Sequence, residues 1–202
     1  MPIQEARKHL KQLSAEERID WAYKKFGSKF VATTSFGIQS AVLLHMIHKI
    51  QNNHKIPVIW VDTGYLPSET YKYAKHLTEK LSLNIQVVQS SISPARMEAL
   101  YGRLWETEKP EDLEKYHLIR KVEPLDLILE KLNVSCWSSG VRGNQTNYRR
   151  SMTCLDFVRD RLSIRPLLDW NQKDIFYYMQ NNNLPQHPLF EKGYSTVGDW
   201  HS

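Results

Sequence analysis

The chain has 202 residues, 41% of them hydrophobic, with 27 Lys and Arg against 22 Asp and Glu for a formal net charge of +5. This suits one α/β domain with a buried core, and the mild basic excess would serve a small polyanion or nucleic acid without choosing between them. No apolar run of about 18 residues and no signal-peptide core in MPIQEARKHLKQL is found, so a cytoplasmic protein without membrane contact is expected. Its two cysteines, Cys136 and Cys154, lack CxxC spacing and leave disulfide frameworks, zinc centres and iron–sulfur clusters without a ligand set.

From Pro2 to Phe26 apolar residues recur at helical spacing (Ala6, Leu10, Leu13, Ile19, Tyr23, Phe26), and Ser14 followed by Glu17 forms a capping-box pattern, which predicts a helical pair over residues 1–28. A β-prone stretch, Lys29–Thr34, leads through a Ser/Gly turn into a helix over Ile38–Ile50. Ile56–Asp62 reads as a fully buried strand, Pro67 opens a helix to about Leu81, and Asn84–Gln89 is a third strand. Val122–Leu132 is an amphipathic helix with Pro124 near its start, and Val134–Ser138 is another apolar strand. A hairpin follows, Leu155–Val158 and Leu162–Pro166 around Arg159-Asp160-Arg161, then a helix from Gln172 to Asn181 capped by Asp169 or Asn171, and a turn-rich tail, Leu184–Ser202. Strands alternating with helices predict an open, mainly parallel, doubly wound sheet with helices on both faces, in which ligands sit beyond the carboxyl ends of the strands.

Four segments at those ends carry residues that packing does not require. Thr33-Thr34-Ser35-Phe36-Gly37-Ile38-Gln39-Ser40 places hydroxyls and a glycine between strand and helix, where backbone N–H groups and the helix dipole can face an anion; an N-cap with a tight turn uses the same residues. Asp62-Thr63-Gly64-Tyr65 offers a carboxylate for ribose or adenine, or equally an Asx turn. Arg120-Lys121-Val122-Glu123-Pro124 and Gly140-Val141-Arg142-Gly143-Asn144-Gln145, with Arg149 and Arg150, supply cations for phosphate or sulfate unless they are a solvated surface.

In order along the chain, TTSFGIQSAV, VDTGYLPSET, YGRLWE, KYHLIRKVEPL, SSGVRGNQTNYR, IRPLLDW and HPLFEKGYSTVGDWHS resemble the phosphoadenosine phosphosulfate reductase family, within the adenine nucleotide α-hydrolase-like group; the match begins near Lys29. The resemblance implies a nucleotide-binding core over 29–202, with Thr34, Ser35, Phe36, Gly37 and Gln39 in a modified phosphate loop and Asp62, Thr63 and Gly64 at the adenosine. It further implies Lys121 and Arg142 on the phosphosulfate, Arg149 as another basic contact, and Gly198, Asp199 and His201 leading to a mobile tail. The implied reaction is attack of a cysteine thiolate on the sulfate sulfur, release of adenosine 3′,5′-bisphosphate, and discharge of sulfite by thioredoxin or glutaredoxin, without a cofactor. A homodimer is compatible with it; nucleic acid is not an expected partner.

Three departures matter. The family's Glu-Cys-Gly-Leu/Ile-His ending is absent before Ser202, so a catalytic tail is expected beyond it; Cys136 reads as an inert strand thiol, and Cys154, whose pKa Arg149 and Arg150 could lower, as a poor substitute for the nucleophile. Gly143 stands where the family usually has a second arginine. Tyr116 and His117 occupy positions of paired cysteines in the iron–sulfur branch, which favours the cluster-free branch and the 3′-phosphorylated substrate. The alternatives are an adenosine phosphosulfate reductase, a non-catalytic nucleotide-binding paralogue, and an ATP pyrophosphatase, the last disfavoured because TTSFGIQS lacks an acid to organise magnesium.

Overall fold

The structure is a computed structural model that describes residues 2–50, 56–199 and 201; Trp200 and Ser202, within the expected tail, lie outside the described residues. Helices α1 (Ile3–Leu10) and α2 (Ala15–Phe26) precede β1 (Phe30–Thr34), α3 (Ser40–Ile50), β2 (Pro57–Val61), α4 (Ser68–Lys80) and β3 (Asn84–Val88). Then come α5 (Pro94–Tyr101), α6 (Pro110–His117), α7 (Glu123–Lys131), β4 (Cys136–Ser138), α8 (Asn147–Arg150), β5 (Leu155–Val158), β6 (Arg161–Ile164) and α9 (Gln172–Asn181). The sheet runs β3-β2-β1-β4-β6-β5 and is parallel throughout except for the antiparallel pair β5 and β6.

The alternation of side chains along the strands decides which helices cover which face. Phe30, Ala32, Val58 and Trp60 pack with residues of α1, α2, α3, α4 and α9, whereas Val31 and Ile59 pack with Leu129 of α7 and with Val134. Burying each large aliphatic side chain contributes roughly 1.5–3 kcal/mol, so both faces must be covered, as a doubly wound sheet requires.

The N-terminal helices belong to this core. Ser14 and Glu17 form the reciprocal capping box that starts α2. The Arg18 guanidinium, 3% exposed, donates to the Leu10 and Pro166 carbonyls and to Asp169. That engagement settles the cap of α9: Asn171, whose side chain accepts from Lys173 and Asp174 N–H, is the cap, and Asp169 is not.

Two expectations are corrected here. The hairpin turn is only Arg159-Asp160, both at positive φ (54° and 55°), as a two-residue connection with matching twist demands, so β6 begins at Arg161. The Arg120-Lys121 stretch is neither a loop nor a strand end: Leu118–Val122 forms a π-helical turn that joins α6 to α7 without a break. Pro124 does not stop that helix because it lies in the first turn of α7, where its missing N–H costs least. Helices α5, α6 and α8 were not anticipated.

His187 is fully buried, accepts from Leu189 N–H at Nδ1 (3.1 Å) and therefore carries its proton on Nε2, 3.1 Å from Thr70 Oγ1. Burial pushes its pKa down, as it does for His45, His117 and His201. The unfolded chain then binds protons that the folded one refuses. Stability is expected to be complete above about pH 6.5 and to fall as acid is added, by at most about 1.4 kcal/mol per pH unit for each histidine. Urea midpoints between pH 7.5 and 5.5 measure this, and His187→Asn, which keeps an acceptor for Leu189, should flatten the slope.

Candidate active site

Because β2 and β4 lie on opposite sides of β1, the chain leaves β1 and β4 in diverging directions and opens a crevice at their carboxyl ends. A cavity of about 530 Å³ occupies it. Its walls are 33–40 after β1, 139–149 after β4, and the 195–198 segment; Leu43, Ile59 and Leu125 give it apolar surface. Thr33 Oγ1 donates to the Ser138 carbonyl at 3.0 Å and ties the two strand ends together.

Of the residues expected at the site, Thr34, Ser35, Gly37, Gln39, Arg142 and Arg149 line this cavity, and Phe36, Asp62, Thr63, Gly64 and Lys121 do not. The loop after β1 is held by its own side chains: Thr34 Oγ1 accepts from Phe36 N–H, and Ser40 N–H donates to the Gly37 carbonyl to start α3. Phe36 adopts φ 49°, a costly conformation for an aromatic residue, and is fully buried edge-on to Trp60 with ring centroids 4.9 Å apart. Its burial fixes the turn that leaves Ser35 and Gly37 on the cavity and points the α3 N-terminus at it. Gly37 is needed for close approach, since a Cβ there would lie 3.2 Å from the Val197 carbonyl oxygen.

Asp62 is engaged within the protein. Its carboxylate accepts from Gly64 N–H (2.9 Å), Tyr71 hydroxyl (2.6 Å) and Gln89 amide (2.7 Å), an Asx turn closed by two further donors. Gly64 has φ 78°, and a Cβ would meet Pro94 at 2.6 Å. Arg120, 2% exposed, donates to the Thr63 and Ile92 carbonyls and sits 5.7 Å from the Tyr65 ring centroid. It fixes the β2 end and is no anion contact. Lys121 is ion-paired at 3.1 Å to Asp199, whose buried carboxylate also accepts from Tyr116 hydroxyl. His201 stacks on Trp105 with centroids 3.6 Å apart, beside Tyr65 and Tyr116. Tyr116 packs in this aromatic cluster, and the His117 ring lies 5.7 Å from the Tyr116 ring, centroid to centroid.

The cavity's charge comes from two arginines. Arg142 is 7% exposed, its guanidinium donates to Gln39 Oε1, and Arg149 NH1 donates to Gln145 Oε1 at 2.5 Å. Among the described residues neither arginine forms an ion pair. Burial first, and Arg149 second, push the Arg142 pKa down, so the charged guanidinium is poorly solvated and would gain from an anion. Gly143 is shaped by contact: its N–H donates to the Leu168 carbonyl at 2.7 Å and a Cβ would lie 3.1 Å from the same oxygen, so a side chain there needs the Leu168 backbone to give by a few tenths of an ångström. Gln145, which belongs to the candidate loop 140–145, also lines the cavity, as do Ser195 and Thr196, which sequence reasoning did not single out because polar residues in turn-rich segments carry no periodic signal.

Neither thiol reaches the cavity. Cys136 is fully buried and its pKa is pushed up to about 12 by burial; Cys154, 5% exposed, is pushed up by burial against the smaller opposing effect of Arg18. Arg149 and Arg150, near in sequence, are not among the groups that shift the Cys154 pKa, in keeping with its reading as a poor substitute for the nucleophile.

The phosphoadenosine phosphosulfate reductase domain matches residues 29–202. The chain is 54% identical over 200 residues to the phosphoadenosine 5′-phosphosulfate reductase of a Synechococcus strain, covering 99% of this chain and 85% of that one. It is 48% identical to the enzyme so named from Synechocystis, covering 96% and 77%. Among solved structures it is similar to phosphoadenylyl-sulfate reductase from Candida auris in a phosphate complex, with a TM-score of 0.83, 26% identity, and coverage of 99% and 95%.

Proposed function

This chain belongs to the phosphoadenosine phosphosulfate reductase family, and we propose that the cavity beyond β1 and β4 is where it holds phosphoadenosine phosphosulfate for reduction to sulfite and adenosine 3′,5′-bisphosphate. The observation that carries this reading is Arg142, a buried guanidinium that lines a cavity with no carboxylate among its described residues. A buried charge of that kind is costly unless an anion completes it. The phosphate bound in the Candida auris relative supports an anion of that class.

Arg142, Arg149 and the N–H groups at the start of α3 would orient the phosphosulfate and stabilise charge building on the departing phosphate oxygen. A thiolate attacks the sulfate sulfur, the S–O bond to phosphate breaks with its electron pair leaving on adenosine 3′,5′-bisphosphate, and a thiosulfonate remains. A thiol of thioredoxin or glutaredoxin attacks the thiosulfonate's sulfenyl sulfur, sulfite departs, and the mixed disulfide is resolved by the donor's second thiol. Buried and with raised pKa values, Cys136 and Cys154 are unsuited to be the attacking thiol. We assign that role to a thiol outside residues 1–202. The reaction as proposed uses no cofactor, and the protein would work in the cytoplasm.

The test is calorimetric titration with phosphoadenosine phosphosulfate, adenosine 5′-phosphosulfate and adenosine 3′,5′-bisphosphate, alongside a sulfite assay with thioredoxin. Saturable binding that is tighter for the 3′-phosphorylated pair is expected, and Cys136→Ser with Cys154→Ser should leave it unchanged. No saturable binding of any of the three would sink the reading.

A further inference from the structure

We propose that Gln39 and Gln145 are positioning residues that hold Arg142 and Arg149 through uncharged acceptors, so that both guanidiniums keep their charge for the incoming anion. The inference rests on the reading of the cavity as an anion site. Gln39 Oε1 accepts from the Arg142 guanidinium. Gln145 Oε1 accepts twice, from the Arg142 backbone N–H at 3.1 Å and from Arg149 NH1 at 2.5 Å. Donors converging on one amide atom fix it as the oxygen. The two glutamines thereby lock the cation-bearing backbone after β4 to the loop after β1 and to α8.

Other arginines of the same chain are held differently. Arg7 and Arg165 pair with Asp156, Arg18 with Asp169, and Arg159 with Asp126; Arg120 and Arg161, away from the cavity, are held by backbone carbonyls. Carboxylates neutralise four of these arginines, backbone carbonyls hold two, and side-chain amides hold the two that face the cavity. The physical difference is large: an amide oxygen fixes geometry while leaving a full positive charge, whereas a carboxylate at the same place cancels the field an anion would feel.

Glutamate is nearly isosteric with glutamine, so Gln39→Glu separates position from charge, and Gln39→Met removes the acceptor at similar volume. Affinity for adenosine 3′,5′-bisphosphate and for inorganic pyrophosphate is measured by calorimetry with a parallel thermal melt. Gln39→Glu is expected to melt at or above the parent temperature, through a charge-assisted hydrogen bond, yet to bind both anions about tenfold or more weakly. Gln39→Met should lose clearly less. At the more exposed Gln145, glutamate should cost about threefold at low salt, a deficit that shrinks as salt is raised. The proposal is overturned if Gln39→Glu binds within about twofold of the parent, or if Gln39→Met is as weak as Gln39→Glu. A parent chain that binds pyrophosphate but no adenine nucleotide would refute the proposed substrate while leaving the glutamine comparison readable on pyrophosphate; a parent that binds neither refutes both.

Discussion

Arg142→Met is expected to weaken binding of adenosine 3′,5′-bisphosphate by about a hundredfold or more while leaving the fold as stable as before, or more so. Both halves follow from the same observation. The guanidinium is 7% exposed and its pKa is pushed down by burial and by Arg149, so the empty protein already bears part of the cost of keeping a charge out of water. Methionine fills similar space without that cost. The nucleotide, by contrast, loses a desolvated cation that meets it in a cavity where charges interact strongly. Titration calorimetry reads the first effect and urea denaturation the second. A further consequence is that ligand should raise the melting temperature of the parent far more than that of the variant, since stabilisation follows occupancy. A variant that binds like the parent would remove Arg142 from the anion site.

Arg120→Met should behave in the opposite way, destabilising the protein by about 3 kcal/mol or more. Arg120 is 2% exposed and spends its donors on the Thr63 and Ile92 carbonyls. Methionine would leave these buried carbonyls without their donors and open space beneath Tyr65, next to a turn in which Gly64 is already held at φ 78° against Pro94. Both chemical denaturation and hydrogen exchange of the 62–65 segment report this; any nucleotide affinity that survives should be lost only through unfolding. The pair of variants distinguishes two arginines that look alike in sequence, one facing the ligand and one serving as a brace. An Arg120→Met variant that is stable but fails to bind nucleotide would reverse the assignment.

The sheet was legible because its signals are local and redundant. Buried parallel strands such as Pro57–Val61 are continuous apolar runs, and Ser14 with Glu17 marks a helix start by spacing alone. Between β3 and α7 the signals fade. Helix α5 is nearly as apolar on one side as on the other, with Met97 its one buried residue, and its reason to exist is the cluster it forms with Leu104, Tyr116 and Ile119. The π-helical turn pairs Lys121, expected on the phosphosulfate, with Asp199, 78 positions later, and no local pattern announces such a pair.

The sequence by itself determined the order of the six strands, the helices outside the β3–α7 stretch and α8, the expectation that a ligand sits beyond the strand ends, and the family. These depend on periodicity, capping and ordered motifs, which are properties of neighbouring residues. Only the tertiary structure decided which polar groups are free for a ligand and which are consumed by the fold. Asp62, its carboxylate filled by three donors, and Arg120, its guanidinium filled by two carbonyls, are the same kinds of residue as any ligand contact. Arg142 differs from them only in what surrounds it, a neutral amide and an open cavity. Whether a charge is spent or available is set by partners brought from distant parts of the chain.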